Sequence, residues 1–258
     1  MYLAGVRKED PPALCLSWSA PHNGPVANVY VGTSGFSYKE WKTLFYPSDL
    51  PDKQMLSFYA TRFDAVEIDS TFYRMPTAKT LETWRDSTPP AFRFVLKASQ
   101  QITHRQRLNI PSDALNYLMS LVPLLGDRLA LVSYQLPPFF RCDVARLQAF
   151  LEILPPNIRS GFEFRHPSWL NPEVYELLRR HHSILCIHDT DEGCTPLEIT
   201  ADAVYVRLRR ERYTDQEREE WRVRWRNWAD SGIDVFAFIK HKDNPDAPLI
   251  AQAFAEGF

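Results

Sequence analysis

After an opening stretch without periodicity, the chain alternates two kinds of segment. Short runs rich in β-branched and aromatic residues end in polar groups, and most are followed by stretches with apolar positions three and four apart. The runs are NVYVGTSG, FDAVEIDSTFY, FRFVLKAS, LALVSYQLPP, GFEFRHPSW, SILCIHDT, AVYVRLRRE and DVFAFIKHKD, eight in all. Between them, LPDKQMLSFYATRF places Met55, Tyr59 and Phe63 on one helical face. CDVARLQAFLEIL does the same with Leu147, Phe150, Leu151 and Leu154, behind an Asp143 cap. TDQEREEWRVRWRNWADSG opens on Thr214 and Glu217, the two ends of a capping box, carries a stripe of Trp221, Trp225 and Trp228, and stops near Gly232.

Strands alternating with helices predict a parallel sheet with right-handed crossovers. Eight such units predict an α/β protein closed into a single (β/α)8 TIM barrel, a fold of about 250 residues, and the chain has 258. A doubly wound open sheet is the alternative, but GTSG after the first run lacks the spacing of a glycine-rich phosphate turn. DEGCTPLEITAD, between the sixth and seventh runs, is too short for a crossover helix and predicts a single turn. Residues 1–28 read as an irregular N-terminal extension and 29–258 as the barrel.

Composition changes this picture little. A net charge of −2 argues against a generally basic nucleic-acid binder, though not against a local basic patch. Cys15, Cys142, Cys186 and Cys194 lie far apart without a CxxC pair, which suits reduced thiols of a cytoplasmic protein better than a zinc knuckle or a disulfide framework. No run approaches the roughly 20 apolar residues that span a bilayer, so no membrane partner is expected.

The chemistry lies at the strand ends, where barrels of this type carry their sites. The second strand offers Glu67 and Asp69 on one face; the third offers Lys97, with His104 beyond it; the fourth offers Gln135. The fifth offers Glu163, Arg165 and His166, the sixth His188 and Asp189, the seventh Arg207 followed by Arg209, Arg210 and Arg212, and the eighth Lys240 and His241. Such a ring could simply close the barrel with ion pairs, for which Glu67–Lys97 and Glu163–Arg207 are candidates. Three histidines among the strand ends exceed what a structural network needs, and mixed acids and bases are where functional groups gather.

VGTSGFSYKEW, LFYP, FDAVEIDSTFYRMP, FRFVLKASQQITH, QLPP and EFRHPSW resemble the YecE-like family, a domain of unknown function with a TIM-barrel fold, over about residues 29 to 258. The resemblance implies the barrel but no established reaction. It carries over Glu67, Ser70, Thr71, Phe72, Tyr73, Lys97, His104, Gln135, Glu163, Arg165, His166 and Arg207 as site residues. A likeness of such proteins to endonuclease IV suggests nucleic acid as a partner, on fold alone. Asp69 stands where the family often has Asn, Phe36 where it has Trp, Arg209 and Arg210 where it has His-Gly, and Lys240 and His241 where it has an Asn pair.

The resulting expectation is an enzyme at the carboxyl-end mouth acting on a phosphate- or carboxylate-bearing ligand, by hydrolase, phosphodiesterase or isomerase-like chemistry. Glu67, Lys97, His104, Glu163, His166 and Asp189 are its catalytic candidates, with a glutamate as general base and His104 or His166 as general acid. Ser70, Thr71, Phe72, Tyr73, Gln135, Arg165, His188, Arg207 and Lys240 are its binding candidates. No cofactor is expected. A divalent metal is a weaker expectation, since no HxH or HExxH is present and the neighbouring cations oppose it. Two further functions fit the same strand ends. One is nucleic-acid binding through THRQRL, RLRRERY and the rings of Phe72, Tyr73, Tyr213 and Trp169. The second is binding of a small molecule without turnover.

Overall fold

Eight parallel strands follow one another around a closed barrel in the computed structural model of the protein, which describes residues 27–240 and 245–258. They are β1 (Val29–Ser34), β2 (Ala65–Ile68), β3 (Arg93–Lys97), β4 (Leu129–Gln135), β5 (Ser160–Glu163), β6 (Ile184–Thr190), β7 (Ala203–Leu208) and β8 (Asp234–Lys240). Each pairs with the next, and β8 pairs with β1. The architecture is a (β/α)8 TIM barrel. The extension expected over 1–28 lies outside the described residues except for its last two, as do Cys15 and His241. No described helix is long and apolar enough to cross a membrane.

Around the sheet run α1 (Met55–Tyr59), α2 (Ser70–Tyr73), α3 (Ala78–Asp86), α4 (Asp113–Leu121), α5 (Val144–Glu152), α6 (Pro172–Arg180), α7 (Asp215–Asp230) and α8 (Ala247–Ala255). The caps read from sequence form. Asp143 accepts the Arg146 N–H at 3.0 Å, and Thr214 and Glu217 exchange both capping-box bonds, at 3.2 and 2.8 Å. Trp221 and Trp225 are buried and Trp228 half-buried. The first helix is shorter than its stripe suggested: it stops at Tyr59, because the chain must turn before β2 begins at Ala65, and Phe63 is buried beyond its end.

Strand periodicity divides the core in two. Ala65, Val95, Leu131, Ile184, Cys186, Tyr205, Phe236 and Phe238 fill the barrel interior, while Val66, Phe94, Tyr134, Phe162, Ile187 and Val206 pack outward in the larger helix-facing cluster. The connection from β6 to β7 differs from the single turn expected. Gly193–Cys194 folds back antiparallel on Asp189 and Thr190, and the Arg179 guanidinium holds the returning chain through the Ile199 carbonyl at 3.2 Å.

One seam needs a side chain to close it. β1 and β2 share a single register pair, Ser34 with Glu67. Below it, the Tyr59 hydroxyl of α1 enters between the strands, accepting the Thr33 N–H at 2.8 Å and donating to the Ala65 carbonyl at 3.1 Å. The approach is so close that a Cβ on Gly32 would lie 2.1 Å from the Ala65 oxygen. Tyr59→Phe strands a buried donor and a buried acceptor, and the expected cost is about 1–3 kcal/mol. For a chain of this size that lowers Tm by about 2–4 °C per kcal/mol. An unchanged melting temperature would show that the seam does not depend on the hydroxyl.

Candidate functional site

Inward-facing residues become polar toward the carboxyl ends of the strands, and Arg207 of β7 sits at their centre, 2% exposed. Its Nη1 donates to Glu163 of β5 and its Nη2 to Glu67 of β2, both at 2.6 Å. Asp69, two residues beyond Glu67 and on the same face, lies 3.6 Å from Nη2. The Tyr205 hydroxyl, one inward step below Arg207, donates to Glu67. Burial lowers the affinity of Arg207 for its proton, but Glu67 and Glu163 outweigh it and hold the guanidinium charged, well above its usual range.

Glu163 is the most heavily shared group. It accepts from Gln135 at 2.7 Å and Arg165 at 3.0 Å as well as from Arg207, and His188 and Arg209 approach at 4.0 and 3.6 Å. Burial pushes its carboxyl up, yet Arg207 and Arg165, with His188 and Arg209, hold it well below the carboxylate range. Lys97 pairs with Asp69 at 2.9 Å rather than with Glu67. Register explains the difference from expectation: Glu67 lies level with Val95, so Lys97 is level with Asp69. The Lys97 ammonium also lies 4.8 Å from the centre of the Phe72 ring, whose edge-on neighbour is His104 at 4.9 Å. Burial, Arg165 and Lys97 depress His104. His188 is pushed down to about 4, first by burial and then by Arg209, Arg207 and Arg165, against an opposing pull from Glu163.

The mouth therefore gathers Glu67, Lys97, His104, Gln135, Glu163, Arg165, His188 and Arg207 from the expected residues. Lys240 ends β8, half-buried and in register with Ser34. Thr71 is structural glue, its hydroxyl 2.9 and 2.7 Å from the carbonyls of Ile68 and Lys97. Ser70 is exposed, and Phe72 is packed beneath Tyr73. One catalytic candidate points elsewhere and another is engaged in a turn. Asp189 follows the inward His188 and so faces the helices, where it accepts from Arg210 at 2.8 and 3.0 Å and from the Trp221 indole at 3.3 Å. His166 begins a short turn, its Nδ1 accepting the Ser168 N–H at 3.1 Å. No three His, Cys, Asp or Glu side chains among the described residues are grouped to hold a metal ion.

Arg209 and Tyr38 were missing from the expected site. Arg209 shares the inward parity of Tyr205 and Arg207, a signal the sequence already carried. Its side chain is 15% exposed, its Nη1 is buried without a hydrogen-bond partner, and burial together with Arg207 and Arg165 lowers its proton affinity. The Tyr38 hydroxyl donates to the Ser34 carbonyl at 3.0 Å, and burial, Asp69 and Glu67 push its pKa up to about 12.

The fold and these inward side chains define a TIM-barrel protein with a polar centre at the carboxyl ends of its strands. The chain belongs to the DUF72 family, described as a protein family of unknown function, whose model matches residues 30–258. UPF0759 protein YunF of Bacillus subtilis is 29% identical over 259 aligned residues, spanning 85% of this chain and 90% of the relative. UPF0759 protein YecE of Escherichia coli K12 is 30% identical over 142 residues, 55% of this chain and 50% of the relative. The crystal structure of a DUF72 family protein from Thermotoga maritima superposes with a TM-score of 0.75 at 26% identity, covering 88% of this chain and 96% of the other. Another from Enterococcus faecalis gives 0.72 at 19% identity, covering 89% and 97%.

The buried charges make stability depend on pH in one direction. His188 is neutral in the folded protein down to about 4 from an ordinary 6.5, so below 6.5 the unfolded chain takes up the proton first and the fold weakens. Glu163, held below its ordinary 4.5, adds stability above that value and loses it as pH falls further. Urea midpoints are expected to fall steadily from pH 7 to 4, and His188→Gln to flatten the upper part of that decline. Midpoints that hold or rise on acidification would contradict both assignments. Arg207→Ala, which takes from buried Glu67 its ion-pair partner and from Glu163 one of several, is expected to cost about 3–5 kcal/mol in the same assay at pH 7.

Proposed function

We propose that the mouth binds a small phosphate- or carboxylate-bearing molecule and acts on it by acid–base chemistry. The observation that carries this is Arg209, a largely buried guanidinium whose Nη1 makes no hydrogen bond and meets only Glu163, shared with two other arginines, at 3.6 Å. Among the described residues, the ion pairs around it join Lys97, Arg165, Arg207 and Arg209 to Glu67, Asp69 and Glu163, four cations to three carboxylates. A buried charge without a full partner is costly, and a ligand anion supplies the missing one. Arginine suits that task because its planar fork matches phosphate and carboxylate oxygens.

In this reading the glutamates organise rather than react. Glu163 is committed to three donors and held ionised, which makes it a poor proton acceptor. His188 and His104, both depressed and therefore neutral at pH 7, are the groups free to exchange protons with a bound molecule. Nucleic-acid binding finds less support. Of its four stacking rings, Phe72, Tyr213 and Trp169 are buried. Arg210 of its second basic loop is tied to Asp189 and Glu217.

Calorimetric titration with inorganic phosphate, sulfate and acetate tests the reading. Arg209→Gln is expected to weaken binding of the preferred anion at least tenfold, about 1.4 kcal/mol. A wild-type protein that binds none of the three at millimolar concentration, or an Arg209→Gln variant that binds as well, would overturn it. A bound anion stabilises the imidazolium form, so its affinity is expected to rise as pH falls from 8 to 5, with proton uptake. Sulfate, which keeps its charge over that range, is the probe for this, and His188→Gln is expected to reduce the rise.

A further inference from the structure

Tyr73 is the one aromatic ring of the expected stacking set that remains open to solvent. It closes α2 four residues after Asp69 and is 73% exposed. Its ring nonetheless has an aromatic neighbour. The Phe72 ring meets it edge-on at 5.0 Å, and Phe72 is itself held between the Lys97 ammonium and the His104 ring. The bare ring thus adjoins the charged mouth.

A single exposed aromatic on a surface needs no explanation by itself. What sets Tyr73 apart is its aromatic backing beside the charged mouth, where the Arg209 Nη1 makes no hydrogen bond. A tyrosine so placed offers an amphipathic platform at low entropic cost. The number of rings limits what can lie there. A strand of bases is held by a row of stacking side chains, whereas Tyr73 is the one open ring of the expected set, enough for one planar group.

We propose that the ligand is an anion carried on a single planar ring, an aryl or heteroaryl phosphate or carboxylate, with its charged end at Arg209 and Arg165 and its ring against Tyr73. This rests on the anion reading above and adds the chemical class of the molecule. Phe139, 68% exposed on the loop after β4, is the natural control, because it is a bare ring for which the proposal has no role.

The test compares two matched pairs by calorimetry on the full chain: phenyl phosphate against methyl phosphate, and benzoate against acetate. The pair that binds identifies the anion. Within it, the ring-bearing member is expected to bind about five- to a hundredfold more tightly, the range for one stacked ring. Tyr73→Ala is expected to bring that ratio to about one, Tyr73→Phe to keep it, and Phe139→Ala to keep it. A wild-type ratio near one, a preference that survives Tyr73→Ala, or one lost in Phe139→Ala overturns the proposal while leaving the anion site standing. Binding by no member of either pair overturns both readings. A single-stranded oligonucleotide that binds more tightly than phenyl phosphate, with steep loss on adding salt, overturns it in favour of a polymer.

Discussion

Arg207 is the interaction on which the site depends. It reaches from β7 to Glu67 on β2 and Glu163 on β5, three strands spaced almost evenly around the barrel. One guanidinium thereby sets the positions of two carboxylates, and through Glu163 those of Gln135 and Arg165 as well. An apolar floor of equal volume would give comparable stability, since desolvating an ion pair returns much of what the pair contributes. The arrangement is better understood as a means of holding charged groups at fixed points under solvent.

Electrostatics follow from that geometry. Arg207 is met by Glu67, Glu163 and Asp69, whereas Arg165 and Arg209 must share what is left of the Glu163 charge. Arg209 is left with the weakest claim on it, at 3.6 Å. Burial first, and then the neighbouring cations, depress His188 and His104. Among the described residues the mouth thus sets four cations and two depressed imidazoles beside three carboxylates, a mixture typical of functional sites.

Much of this was legible in the chain because strand and helix periods are simple. Eight apolar runs with helical stripes between them sufficed for the barrel, and the Asp143 and Thr214 caps were visible as local chemistry. Facing was legible too but needs strict use of the two-residue period: His188 and Asp189 cannot both enter the mouth, whereas Arg207 and Arg209 can. The partner of Lys97 was not legible, because it depends on the register of β2 against β3. The Tyr59 hydroxyl in the β1–β2 seam was hidden for the same reason. Its ring looks like any core aromatic until the strands are seen to part around its oxygen.

The adjacent arginines after β7 show how the two faces of the barrel cooperate. Arg210 turns outward and is gripped by Asp189 and Glu217, and the Arg209 N–H donates to the Asp189 carbonyl at 2.8 Å. Both ties fix the backbone from outside, so Arg209 is presented inward with little freedom to swing toward solvent. Asp189 therefore bears on the mouth without facing it, by holding the segment that carries the cation. The desolvation cost of that guanidinium is offset in part by Glu163 at 3.6 Å, and the ties outside the barrel hold its backbone where that contact is made.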